Sequence, residues 1–495
     1  MARGGEDGSV LEIAKGGATM LMNDRPGTGA ARHRRERARA QRDAHADQHG
    51  PELGRQDVAT AIVARLVRSH VVVYQLAMAS VWTFIRRPSN QRLRTWLGSG
   101  AVAAAGIWAV VTFVGTTGST AIPFNHLFVD PNPSTSIGSG IALADIDGDG
   151  KLDVITADGP TFGTGGQPVV AWYKNPGVEK QGNWTKTIID SQFGGTDDAQ
   201  VGDIRGNGIM DVITSDYPAG QIVWYENPRN WGGDPAKDPW RKHVIANGFL
   251  HDMAVGDVLG NGKLDVVVHG HFGAFSGQSG PTVLYIQNDP DSWTEVTMTN
   301  APDHNGNGKG IALANLAGHA NGKLDLVENG YWLEQPADPT DGSAWTAHVF
   351  ESSAPTMAAV AVVDINGDGR LDIVMGGSDG SPGGLAWYEQ GSGNPRDASD
   401  WTKHAIDATI NSSHMLAIAD MNQDGHPDIV FGEGGPNRIG FFLNNGDGSS
   451  WTMQLISPTN GGRPLVGDLG GDGDLDIVGT RDDRVPVDVW YNQSK

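Results

Sequence analysis

Between Ile141 and Val478 the chain repeats one order of positions: an apolar run, a polar loop dense in Gly and Asp, and a second apolar run opened by Asp. The seven copies are IALADIDGDGKLDVI from Ile141, AQVGDIRGNGIMDVI from Ala199, MAVGDVLGNGKLDVV from Met253, IALANLAGHANGKLDLV from Ile311, VAVVDINGDGRLDIV from Val360, LAIADMNQDGHPDIV from Leu416 and PLVGDLGGDGDLDIV from Pro464. Their leading residues, Asp145, Asp203, Asp257, Asn315, Asp364, Asp420 and Asp468, are spaced by 58, 54, 58, 49, 56 and 48 residues. Most copies continue into an aromatic run (AWYKN from Ala171, VWYEN from Val223, VLYIQN from Val283, LAWYEQ from Leu385, GFFLNN from Gly440, VWYNQ from Val489). A further run then opens at Trp184, Trp240, Trp293, Trp345, Trp401 or Trp451. Short alternating runs bounded by Gly, Pro, Asn and Asp read as antiparallel strands. Each unit supplies about four, and four strands on a period near 50 make a propeller blade. The pattern predicts an all-β fold, a seven-bladed β-propeller of four-stranded antiparallel blades.

Six Trp-led strands serve seven acidic loops, so one outer strand is missing from its place in the repeat. The segment Phe124–Val129 has the same polar and apolar pattern without the Trp, and it precedes the first loop. It is expected to complete the last blade by pairing with the strand that holds Trp490 and Tyr491, which closes the ring and removes the long unpaired edge.

The first 121 residues follow another pattern. Residues 1–96 read as an extension that is mostly disordered, rich in Gly, Arg and Asp up to Val58 and without apolar periodicity there. Val71–Ile85 is apolar but short for a span. Residues 97–121 combine an upstream cluster of Arg86, Arg87, Arg92 and Arg94, the stretch LGSGAVAAAGIWAVVTFVG and the small residues Ser119, Thr120 and Ala121. This order reads as a secretory signal or as a retained membrane anchor. With Met78 as an alternative start, the preceding residues become a misassigned extension. Either way the propeller, residues 122–495, is expected outside the cytoplasm, secreted or on the cell surface.

Composition narrows the chemistry. Cysteine is absent, which excludes disulfides, a thiol nucleophile and cysteine-based zinc sites. Lys and Arg outnumber Asp and Glu by 16 to 9 through Ala121, whereas beyond it they number 20 against 49. A ring that acidic does not attract nucleic acid, and part of its charge calls for cations. In the first loop Asp145, Asp147, Asp149 and Asp153 stand at positions 1, 3, 5 and 9, and Asp364, Asn366, Asp368, Asp372 and Asp420, Asn422, Asp424, Asp428 repeat the set. Hard oxygen donors in a flexible loop suit Ca²⁺ as a structural staple. Arg205, Leu259 and Gly470 break the third position elsewhere, and the fourth loop carries two extra residues.

These loops and the aromatic W-Y-E-N strands resemble the VCBS or FG-GAP repeat β-propellers, the class that includes integrin α-subunit heads, over residues 123–495. The resemblance implies that Lys151, seventh in its loop, adds a backbone carbonyl to the Ca²⁺ ligands. It implies a fold more than a function, because similar scaffolds host adhesion modules, lectins and carbohydrate-active enzymes.

Because each acidic loop leaves the innermost strand, residues six before its leading Asp fall at the opposite mouth of the channel. That phase selects Asp197, His251, Lys309 and His414, with Asp198, Asp252 and Arg463 beside them. The ends of the second strands return to the same face with His269, His271, Glu328, Tyr331, Trp332, Glu433 and Arg481. His251, His414, Tyr331, Lys309 and Arg463 are the candidate catalytic set. Asp197, Asp252, His269, His271, Glu328, Trp332, Glu433 and Arg481 are candidate ligand contacts. His269 and His271 share one side of a strand, a spacing compatible with a transition metal. His243, His348 and His404 recur in outer strands and read as solvated or structural. Two functional classes follow. One is a binding module, taken to be monomeric, for extracellular carbohydrate or protein; the other is a carbohydrate-active carbon–oxygen lyase or dehydratase, in which Lys309 and Arg463 neutralise an acidic sugar and Tyr331 or a His moves the proton. A nucleophilic hydrolase is disfavoured, since no G-x-S-x-G elbow occurs in the ring.

Overall fold

A computed structural model describes residues 121–131, 140–157, 168–177, 184–196, 198–216, 219–248, 250–271, 279–301, 310–355, 358–377, 383–410, 413–433, 438–458, 462–480 and 487–494. Residues 1–120, which hold the expected extension and most of the export or anchor segment, lie outside them. Among the described residues the helices are 3-10 turns of three or four residues, and none is long and apolar enough to cross a membrane.

The strands fall into seven four-stranded antiparallel sheets. The strand β1 (Phe124–Asp130) comes first in the chain but belongs to the last blade. Blade one is β2 (Gly140–Ala144), β3 (Asp153–Ala157), β4 (Val170–Lys174) and β5 (Thr185–Asp190). Blade two is β6 (Ala199–Gly202), β7 (Asp211–Asp216), β8 (Gln221–Glu226) and β9 (Arg241–Asn247); blade three is β10 (Leu250–Gly256), β11 (Asp265–His271), β12 (Ser279–Asp289) and β13 (Ser292–Thr297). Blade four is β14 (Ala312–Ala314), β15 (Asp325–Glu328), β16 (Tyr331–Glu334) and β17 (Thr346–Val349); blade five is β18 (Ala358–Val363), β19 (Asp372–Gly377), β20 (Leu385–Gln390) and β21 (Trp401–Asp407). Blade six is β22 (Ser413–Ala419), β23 (Asp428–Glu433), β24 (Arg438–Asn444) and β25 (Trp451–Ser457), and blade seven is β26 (Arg463–Gly467), β27 (Asp476–Thr480), β28 (Val487–Asn492) and β1.

The expected closure is present. β1 runs antiparallel to β28 with Phe124 opposite Asn492, His126 opposite Trp490 and Leu127 opposite Val489. The innermost strands β2, β6, β10, β14, β18, β22 and β26 touch in that order, and β26 touches β2. They therefore encircle the channel. All seven acidic loops join an innermost strand to the second strand of its blade, so they share one face.

Packing explains why blades, not a central core, hold the ring together. Each buried apolar cluster straddles two consecutive blades. Ile213 and Trp224 of blade two, for example, meet Val266 and Tyr285 of blade three. Buried aromatic residues such as Trp172, Trp224, Trp332 and Trp387 come from the third strands, where the W-Y motif recurs. Near the channel the inner strands come too close for large side chains, and a Cβ on Gly202 would sit 2.7 Å from Leu264 of the next blade. At the rim, the Tyr225 hydroxyl donates to Asp190 of the preceding blade (2.7 Å), and Tyr173 donates to Asp130 likewise (3.0 Å).

Candidate functional site

Two faces need separate accounts, and the acidic-loop face comes first. In the first loop the Asp145 carboxylate accepts N–H bonds from Gly148 (2.7 Å), Asp149 (3.0 Å) and Gly150 (2.9 Å). Gly148 and Gly150 reach this wrap with φ of 76° and 86°, a region that L side chains resist. Carboxylate oxygens of Asp145, Asp147 and Asp149 lie within 4.8 Å of one another, a set of hard donors that fits one Ca²⁺. Lys174 stands beside them, with Nζ 2.9 Å from Asp149 and also on Asp147. Asp364 wraps Gly367, Asp368 and Gly369 in the same way (2.8, 3.0 and 2.8 Å), and Asp420 wraps Asp424 and Gly425 (3.0 and 2.8 Å). Asn366 and Asn422 stand at the third positions of these two loops, where each accepts an N–H from the fifth-position Asp (3.1 Å).

The ninth positions differ from the other acidic residues. Asp153, Asp372 and Asp428 are fully buried. In each, one oxygen accepts the N–H of the residue after the leading Asp and the other accepts the N–H of the last residue of the third strand or its neighbour: Ile365 (2.9 Å) and Gln390 (2.9 Å) for Asp372. Asp265 makes a related pair in a loop without the intact ligand set, accepting from Leu259 (3.3 Å), two residues after its leading Asp, and from Gln287 near the end of β12 (3.0 Å). Burial pushes the carboxyls of Asp153, Asp372 and Asp428 up to about 6 against these hydrogen bonds. The amide they hold then reaches the preceding blade. Asn444 donates to the Ile365 carbonyl (2.8 Å), Asn227 to Ile146 (2.9 Å) and Gln335 to Val258 (2.7 Å). This Asp-to-amide clamp was the clearest feature missed in the sequence, and its signal was an Asn or Gln closing each aromatic strand. Loops without the ligand set use other fillers. Arg205 pairs with Glu226 (2.6 Å), and His319 pairs with Asp325 (2.7 Å).

At the opposite mouth a cavity of about 160 Å³ opens between the inner strands. Its lining comes from six blades and includes Asp198, Gln200, Asp252, Met415 and Arg463. These residues lie one to three positions after the phase chosen from the repeat, because the strands approach the axis slightly later than a simple count places them. Asp198 and Arg463 are buried, and Asp252 is half-buried. Asp198 accepts the Met253 N–H of blade three (2.9 Å), and Asp252 accepts the Gly310 N–H at the start of blade four (2.6 Å). The Gln200 amide donates toward Asp198 (3.4 Å). Burial, then repulsion from Asp252, pushes the Asp198 carboxyl up to about 7 against the pull of Arg463.

Behind the cavity lies a buried polar group between blades three and four. Glu328 accepts hydrogen bonds from the Thr282 hydroxyl (2.7 Å) and the Tyr331 hydroxyl (2.6 Å), and His269 Nδ1 stands 3.3 Å from it. Burial disfavours a charged His269, yet Glu328, with help from Asp252, outweighs this and raises its pKa. Burial and Glu328 also push the Tyr331 phenol well up. The structure thus brings Asp252 and Arg463 to the cavity and His269, Glu328 and Tyr331 to the group behind it. Trp332 lies instead in the core between blades four and five, against His348. Glu433 is buried and pairs with Arg438 (2.6 Å). Asp197, Lys309 and Arg481 lie outside the described residues; His251, His414 and His271 occupy β10, β22 and β11, but their side chains lie outside the description too.

The FG-GAP-like repeat family matches residues 145–214, 364–431 and 420–479. The chain carries FG-GAP-like repeats. Integrin alpha-6 of Homo sapiens is 25% identical over 216 residues, which are 40% of this chain and 19% of the integrin, so the match takes in only that small share of the integrin's length. Among solved structures, the alpha-L-arabinofuranosidase Arb93A from Fusarium graminearum, in complex with an iminosugar inhibitor, superposes with a TM-score of 0.42 at 14% identity over 75% of this chain and 98% of that one. The V. cholerae biofilm matrix protein Bap1 does so at 0.37 and 12%, over 76% and 91%.

Proposed function

We propose that the ring is an exported, calcium-stabilised binding module that takes an extracellular carbohydrate or protein ligand at the channel mouth opposite the acidic loops. The observation that carries this reading is the cavity itself, where side chains from six blades converge and Asp198, Asp252, Gln200 and Arg463 supply donors and acceptors within an otherwise apolar lining. A concave site with a few convergent polar groups is the usual form of a ligand pocket. Export is supported by the integrin-like repeats and agrees with the Ca²⁺ that such loops need. Asp145, Asp147 and Asp149, with Asp364, Asn366, Asp368 and Asp420, Asn422, Asp424, would hold the ion. Bound there, Ca²⁺ supplies charge neutralisation on the face away from the ligand.

In the lyase or dehydratase alternative Tyr331 or a His moves the proton at the mouth. The Tyr331 hydroxyl is buried and given to Glu328, which weighs against Tyr331 in that role and leaves it to a His. A glycan array probed with the protein and with Arg463→Gln tests the binding reading. The expected result is a defined set of hits that the variant weakens at least about tenfold while its thermal melt is retained. Hits unaffected by Arg463→Gln would move the site off the channel.

A further inference from the structure

The third strand of a blade ends beside the acidic loop of the same blade, and the residue before the amide held by the ninth-position Asp meets the third position of that loop. In blade one Lys174 bonds Asp147. In blade two Glu226 bonds Arg205 (2.6 Å), which is the same contact with its charges exchanged. Blade three replaces the charges with Leu259 and Ile286, which belong to one apolar cluster, and in blade five Asn366 donates to Glu389 (3.2 Å). The third position therefore has a partner within its own blade, and in blades two and three the pair forms where the ligand set is broken.

Charge makes the three intact loops unequal. Around the first, Lys174 also lies 2.9 Å from Asp149, Lys151 lies 3.4 Å from Asp149, and Arg229 rests on Gly148, where a Cβ would meet its guanidinium. Among the described residues, three cations thus face the carboxylates of Asp145, Asp147 and Asp149. Asp234, which also lies near Lys174, is paired with Lys237. The undescribed part of the β4–β5 connection adds one anion and one cation, Glu179 and Lys180, and leaves the balance unchanged. In the fifth loop Arg370 pairs with Asp368, while Glu389, which His404 also bonds (2.9 Å), adds a carboxylate beside Asn366. Asp420 and Asp424 of the sixth loop pair with no Lys or Arg among the described residues. Demand for a cation is lowest in the loop with the fullest set of Ca²⁺ donors.

We propose that Lys174 is the built-in cation of the first loop, so that this loop keeps its shape without Ca²⁺ and takes the ion last of the three. The inference rests on the calcium reading above and ranks its sites. β4 fixes the Lys174 backbone opposite Thr185, and the side chain has only to reach the loop of its own blade. An ammonium relieves the mutual repulsion of the carboxylates as a metal does. Each exposed ion pair is weak, but an entering ion has to take two carboxylates from Lys174 at once, which should raise the Ca²⁺ midpoint of this loop about tenfold above those of the other two. The calcium-dependent staples then lie in blades five and six, and the first loop responds only where Ca²⁺ is abundant.

The test is hydrogen exchange read by mass spectrometry on the full-length chain, with Ca²⁺ titrated against a chelator. The amides of Gly148, Asp149 and Gly150 report on the first loop, those of Gly367, Asp368 and Gly369 on the fifth, and those of Asp424 and Gly425 on the sixth. Chelator should speed exchange in the fifth and sixth loops and leave the first unchanged. Lys174→Gln should make the first loop sensitive to chelator and lower its Ca²⁺ midpoint about tenfold, whereas Lys174→Arg should keep it insensitive. If Lys174→Gln does not fold, the comparison of the three loops in the unaltered protein decides. A first loop that shares the midpoint of the other two, or a Lys174→Gln chain that responds as the unaltered one does, overturns the inference while the calcium reading stands. Exchange that ignores Ca²⁺ in all three loops overturns the calcium reading and the inference with it.

Discussion

The recurring acidic residues of the loops do two different jobs. Leading residues such as Asp364 wrap backbone N–H groups at an exposed turn, whereas ninth residues such as Asp265 and Asp372 are buried and tie two strands. Replacing Asp265 by Asn sets a donor against one of two buried N–H groups, which should cost about 1 to 3 kcal/mol. Urea unfolding should give the same loss with Ca²⁺ or with chelator, because the loop of Asp265 lacks the intact ligand set. Asp364→Ala should behave in the opposite way, shrinking the rise in melting temperature that Ca²⁺ gives to the unaltered chain. Equal Ca²⁺ responses in both variants would remove the distinction. Positions 1, 3 and 5 could be picked out by their residue types alone. The division between exposed loop residues and buried staples could not, since an Asp in a string does not reveal whether its oxygens already hold backbone amides.

Strands and their order were legible because the repeat states them seven times. The period, the W-Y runs and the Trp-led runs assign four strands to each blade, and the missing seventh Trp points to Phe124–Val129 as the closing strand. Pairing of β1 with β28 then follows from the need to cover an edge. A chain that begins at residue 131 should lose this cover, expose β28 and self-associate, a shift that light scattering reads directly; a monodisperse monomer of unchanged melting temperature would contradict the closure argument. The clamps between blades were harder to see. Asn444 lies 79 residues from its partner Ile365, and the Asn that closes its aromatic strand does not reveal which carbonyl it meets. Asn444→Leu removes a buried donor from two carbonyls, Ile365 and Pro427, and should cost about 1 to 3 kcal/mol in urea unfolding, well beyond the effect of Asn445→Ala on the exposed neighbour.

For the whole ring, buried carboxyls set the pH dependence of stability. Burial raises Asp211 and Asp476 to about 7 and Asp265 to about 6, above the ~3.9 of an unfolded chain. Such groups take up protons in the folded state first, so their contribution is complete below about pH 4 and is lost as pH rises through 6 to 7. Glu351, held at about 2 by hydrogen bonds from Ser353 and Lys403 that outweigh its burial, acts in the opposite sense, and its contribution is lost as pH falls below the unfolded value near 4. Melts in chelator should therefore peak near pH 5 and decline toward pH 8; a melting temperature that rises steadily to pH 8 would show that the buried carboxyls are ionised without penalty. At this scale the functional site was legible in part. Repeat phase located the mouth and singled out Asp198, Asp252 and Arg463, but the cavity itself arises from how six inner strands meet, which no single copy of the repeat contains. The most direct test of the account is a crystal structure of the protein with a hit from the glycan array. The account places the ligand in the channel cavity, within hydrogen-bond distance of Asp252 and Arg463; a ligand seated on the acidic loops or the outer strands would contradict it.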